Sequence, residues 1–82
     1  MINNNKLKTE VIAELSSSRN SPVCVNLVTL LDVMIAEKRE ENDTADPDGV
    51  KRNQGAISIL SDLKAYITRG LPAFQDLERK KS

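Results

Sequence analysis

The dipeptides Ser21-Pro22 and Asp46-Pro47 constrain this chain more than any other feature of its sequence. In each, a short polar side chain able to accept from the open N–H groups of a first helical turn stands before a proline. The missing N–H of that proline costs nothing there, and its fixed φ already suits a helix. After each proline, apolar residues recur at three- and four-residue intervals, the period of one helix face. These signals predict helices over 22–42 and 47–69, joined through the polar stretch from Asn42 to Gly49. At 1.5 Å per residue the first would be about 31 Å long. So short a turn lets consecutive helices lie side by side, and the pattern calls for an all-α chain built on a long antiparallel helical hairpin.

The flanks add shorter elements within what reads as a single helical domain, 1–82. Leu7, Val11, Ile12 and Leu15 mark one side of a short helix over 5–15, which Ser16-Ser17-Ser18 should stop. Gly70 suits a left-handed residue closing the second long helix, and Pro72 cannot continue it. In the tail, 73–82, Phe74 and Leu77 stand at helical spacing ahead of Arg79-Lys80-Lys81, which fits a short helical tail.

The two long helices differ in how much surface they must bury. On a helical wheel Val23, Leu27, Val28, Leu30, Leu31, Met34 and Ile35 spread over about 160°, against the ~100° stripe of an ordinary surface helix. One neighbour cannot cover that arc. The second helix carries a narrower stripe of Ala56, Ile59, Leu60, Leu63, Tyr66 and Ile67, suited to a single partner. The surplus on the first helix is left for the 5–15 helix, a second copy or another protein to cover. Chain length sharpens the point, because a domain of 82 residues buries only about 60–65% of its unfolded surface and gains little from its own core. Val28, Leu31, Ile35, Gly55, Phe74 and Leu77 are therefore the expected partner-facing residues. Gly55 belongs among them because a glycine inside a helix costs about 1 kcal/mol relative to alanine, which suggests close approach of another backbone, within the hairpin or between chains.

Composition removes most chemistry. With one Cys and no His, the chain can neither gather a zinc site nor close an intramolecular disulfide. Cys24 is the one thiol, and without a histidine to act as its base a small core residue is the better reading. The run Asp43 to Gly49 fails as a calcium loop: with Gly49 at the sixth position, Thr44 falls at the first and Gly55 at the twelfth, where a bidentate Glu is needed. Carboxylates such as Glu37 and Glu41 lie one helical turn apart on a solvated face, not across a cleft. No catalytic residue, cofactor site or metal site is expected, and the chain reads as a non-enzyme.

Charge points toward protein partners. Twelve basic and twelve acidic residues give zero formal net charge, which removes the general drive toward nucleic acid or acidic lipid. Tyr66 and Phe74 are the only aromatics, too few for a base-stacking platform. The charges are segregated, however: residues 1–21 carry +1, 22–49 carry −5 and 50–82 carry +4. Pairing within the hairpin or between subunits would use this asymmetry, as would a partner docking on Glu37, Glu40, Glu41, Asp43, Asp46 and Asp48. The opening residues Met1-Ile2-Asn3-Asn4-Asn5 lack the charge and apolar run of a signal peptide, and no stretch reaches the ~20 apolar residues of a membrane span. An intracellular chain without membrane insertion is the expectation.

The run from Leu31 to Thr44, with Arg52-Asn53-Gln54-Gly55-Ala56-Ile57 and Tyr66-Ile67-Thr68-Arg69-Gly70-Leu71-Pro72, resembles small helical-hairpin proteins of tailed bacteriophages and prophages. The resemblance covers residues 30–72 and implies a member of the virion-assembly gene block, located in the virion or the host cytoplasm. It implies no catalytic residue. The expected role is a minor structural or head–tail assembly protein that packs against itself or a larger structural protein. The alternative is a small inhibitor that occludes a host enzyme through the acidic residues of the first long helix and the turn.

Overall fold

The computed structural model describes residues 4–81, and among these it contains four helices and no strand. Met1-Ile2-Asn3, where the reading for a leader began, and Ser82, the last residue of the expected tail, lie outside the described residues. The helices are α1 (Asn4–Ser17), α2 (Pro22–Asn42), α3 (Pro47–Arg69) and α4 (Leu71–Lys81).

Both cap-and-proline signals act locally as the sequence suggests. Ser21 is extended (φ −69°, ψ 151°) and its Oγ accepts from the Cys24 N–H at 3.3 Å. Asp46 is likewise extended, and its Oδ1 accepts from the Gly49 N–H at 2.7 Å. Each cap satisfies one of the orphan donors at a helix start.

The junction after α3 differs from expectation. Gly70 has a positive φ of 78° but a ψ of −154°, which is not the left-handed helical cap and lies in a region open essentially to glycine alone. The Gly70 N–H donates to the Tyr66 carbonyl, and the Gly70 carbonyl accepts from Ala73 and Phe74, so one residue closes α3 and opens α4. Pro72 stands in the first turn of α4, where a proline is tolerated, and it therefore starts a helix there. The helical tail begins at Leu71, two residues earlier than its periodicity suggests.

Packing is centred on α3. α2 makes its main contact with α3, which also packs against α1 and α4, and α1 meets α4. The core is small: among the described residues, Ile12, Cys24, Leu31, Ile35, Ile67, Ala73 and Phe74 are the buried apolar ones. Tyr66 meets Phe74 edge-on with ring centroids 5.4 Å apart, a contact that adds about 1 kcal/mol to the area it buries. α1 is anchored at its C-terminal end, where Ser16 lies so close to Gly70 that a Cβ there would fall 2.6 Å from the serine Oγ. Across α2 and α3, Lys64 Nζ meets Asp32 Oδ1 at 2.7 Å. Both groups are well exposed, which limits such a pair to about 0–1 kcal/mol.

Candidate interaction site

An open apolar groove of about 580 Å³ runs where the four helices converge. From α1 it takes Leu7, Val11, Ile12 and Leu15; from α2, Leu27 and Leu31; from α3, Ile59, Leu63, Tyr66 and Ile67; and from α4, Phe74. Lys8, Asp62 and Glu78 supply its charged rim. The floor is core, since Ile12, Leu31, Ile67 and Phe74 are buried, whereas the walls are open: Leu7 is 51%, Val11 45%, Ile59 64% and Leu63 44% exposed. Exposed apolar side chains arranged around a shared groove mark an association surface more than scattered surface leucines do.

The groove opens where α1 packs on α3 and α4 and meets α2 near the start of that helix, where Cys24 Sγ lies 3.8 Å from the Leu15 carbonyl. α1, one of the three covers open to the wide arc of α2, meets that helix at 107° and packs against α3 and α4. The outer part of the arc stays bare, with Val23 76%, Leu30 54% and Met34 38% exposed. α3 is not fully covered either, because Ile59 and Leu63 at the edge of its stripe face the groove.

The sequence-derived partner residues separate into three groups. Leu31, Ile35 and Phe74, at 5%, 8% and 6% exposure, are part of the chain's own core, Leu31 and Phe74 forming part of the groove floor. Val28 and Leu77 are half-buried. Gly55 is exposed, and a Cβ added there meets nothing within 4 Å, so among the described residues no other helix approaches it. Sequence reasoning passed over Leu7, Val11, Ile59 and Leu63 as partner-facing residues. Their periodicity shows that they belong to apolar faces, but periodicity does not show which edge of a face a neighbour leaves open.

All six acidic candidates are exposed, and several have local roles. Asp46 caps α3, Asp48 sits in the first turn of α3 where its charge favours the helix dipole, and Glu41 pairs with Lys38 at 3.2 Å.

No protein-family model, curated protein or solved structure matches this chain.

Other arrangements are chemically sparse. Among the described residues no three His, Cys, Asp or Glu side chains come together as a metal-holding group. Cys24 is buried, its Sγ 3.8 Å from the Leu15 carbonyl. A second hollow between α2 and α3, with Asp32, Arg39, Ser61, Lys64, Thr68 and Arg69 around a floor of Ile35, Ala36 and Ala65, is open and holds the Asp32–Lys64 pair. The 107° junction of α1 and α2 falls within the range of helix–turn–helix motifs. Yet the exposed residues at the start of α2 are Pro22, Val23, Val25, Asn26 and Thr29, which give phosphates no cation. No single described helix is long and apolar enough to cross a membrane, and α1 with α2 meets that length and composition only as a bent pair.

Proposed function

We propose that this chain is a non-enzymatic assembly protein that acts by packing helices against a protein partner, with α2 and α3 forming a long antiparallel hairpin and α1 and α4 flanking it. The observation that carries this reading is the apolar groove with its exposed walls of Leu7, Val11, Ile59 and Leu63. An amphipathic helix laid into such a groove would supply the apolar cover that an 82-residue chain lacks. The resemblance of residues 30–72 to helical-hairpin proteins of tailed phages supports placing that partner in a virion, as a neighbour in the particle or its head–tail region.

The competing reading, an inhibitor docking through Glu37, Glu40, Glu41, Asp43, Asp46 and Asp48, draws less support. The turn carboxylates Asp46 and Asp48 are accounted for by capping and dipole effects within α3. Copurification from cells carrying the gene separates the two. Ile59→Asp with Leu63→Asp should abolish recovery of the partner while charge reversal at Glu37 and Glu40 leaves it nearly intact. The opposite pattern, with recovery falling steeply as salt rises, would establish the inhibitor.

A further inference from the structure

In the floor of the hollow between α2 and α3, Ala36 and Ala65 each place a single methyl group beside Ile35. Longer side chains at these two positions would fill the space, and with alanines it stays open at about 530 Å³. Each helix offers it one stripe. On α2, Asp32, Ala36 and Arg39 follow at intervals of four and three; on α3, Ser61, Lys64 and Thr68 follow at intervals of three and four. The stripes run for two turns, about 11 Å of helix.

Arg39, Lys64 and Arg69 line this hollow with Asp32 as its one carboxylate, so three positive charges less one negative leave it at +2. Lys64 Nζ spends one donor on Asp32 Oδ1 at 2.7 Å. Arg39 and Arg69 are exposed and make no hydrogen bond or ion pair among the described residues. The carboxylates nearest Arg39 along the chain, Glu40 and, one turn beyond, Asp43, do not pair with it. The Ser61 hydroxyl is also without a partner among the described residues, whereas Thr68 Oγ1 donates to the Lys64 carbonyl at 2.8 Å and is already used. Both arginines stand in the last turn of their helices, where a positive charge favours the dipole. That effect uses their charge and leaves their donor forks open.

We propose that this hollow binds a small phosphate monoester. Arg39 and Arg69 turn onto the phosphate, Ser61 and the remaining Lys64 donors add to the contact, and the carbon part of the molecule lies on Ile35, Ala36 and Ala65. A phosphate monoester carries about −1.5 to −2 at neutral pH, which matches the charge of the hollow. Its several acceptor oxygens suit guanidinium forks, which bind them two at a time. The volume is that of a small-molecule site. Nucleic acid fits less well, because a hollow two turns long neutralises few phosphates and the chain has no net positive charge to add.

This site goes beyond the packing reading and shares no lining residue with the apolar groove. The test is titration of the isotope-labelled full chain at low salt with adenosine monophosphate, glycerol 3-phosphate and inorganic phosphate, followed by amide chemical shifts. At least one ester should give saturable shifts at Ala36, Ala65 and Thr68 with a Kd of about 1 mM or lower, and inorganic phosphate should bind at least about threefold more weakly. Arg39→Gln or Arg69→Gln should weaken ester binding about tenfold, and Ala36→Leu, which fills the floor with every charge in place, should do the same. Asp32→Asn should tighten it about threefold, and Lys51→Gln, at an exposed position outside the hollow, should leave it unchanged. All of these positions are exposed, so far-UV circular dichroism should match the parent chain. No saturable shift with any of the three compounds up to about 10 mM overturns the inference. Equal losses from Lys51→Gln and Arg39→Gln overturn it too, since they would reflect attraction to charge in general, as does indifference to Ala36→Leu. Inorganic phosphate binding as tightly as both esters overturns the role of the floor and with it the ester, leaving an adventitious ion only. Each of these failures leaves the groove reading standing, because that depends on Ile59 and Leu63.

Discussion

Gly70 and Gly55 show how differently two glycines in one chain can be used. At Gly70 the positive φ and the adjacent Ser16 both exclude a side chain, so Gly70→Ala should cost about 2–3 kcal/mol and lower the midpoint of urea unfolding accordingly. At Gly55 the helix is ordinary and the space is open, so Gly55→Ala should raise stability by about 1 kcal/mol in the same assay. A loss of stability there would mean that some other chain approaches the glycine. From the sequence alone the two could not be ranked, because a lone glycine inside a helical pattern signals either close approach or mere tolerance. The caps were different. Ser21 and Asp46 were legible because an N-cap hydrogen bond is made within three residues of its donor and depends little on tertiary context.

At the scale of elements, α2 carries two apolar faces with separate roles. Leu31 is in the core and Leu30 is half exposed, one position apart. Leu31→Ala should cost about 3 kcal/mol, whereas Leu30→Ala should change thermal stability by less than about 0.5 kcal/mol at concentrations where the chain is monomeric. Equal costs for the two would mean that the wrong face of α2 has been assigned to the core. Helix positions were readable from period and punctuation, and the long elements fall where Ser21-Pro22, Asp46-Pro47 and Gly70 place them. The division of the arc was not readable. Which half of a 160° face is covered depends on how α2 meets α3 and on where α1 and α4 then pack, through contacts between residues distant in sequence such as Ser16 beside Gly70. The groove was hidden for the same reason: its walls come from α1 and α3, and no local pattern records that their edges remain open together.

At the scale of the whole molecule, a small core lies beneath a large open apolar surface. Among the described residues, seven buried apolar ones stabilise a fold that exposes nine large ones, including both groove walls and Val23, Leu30 and Met34 of α2. This imbalance is costly for a protein that acts alone, and useful for one whose apolar surface is completed by a partner. The central claim is therefore that the groove is occupied when the protein works. The most direct measurement is photo-crosslinking in cells that carry the gene, with a photoreactive phenylalanine analogue placed at Ile59 in the groove and, separately, at Thr68 beside the polar hollow. A discrete protein adduct from Ile59 and none from Thr68 is the expected result. Adducts from Thr68 alone, or equal yields from both positions, would contradict the claim.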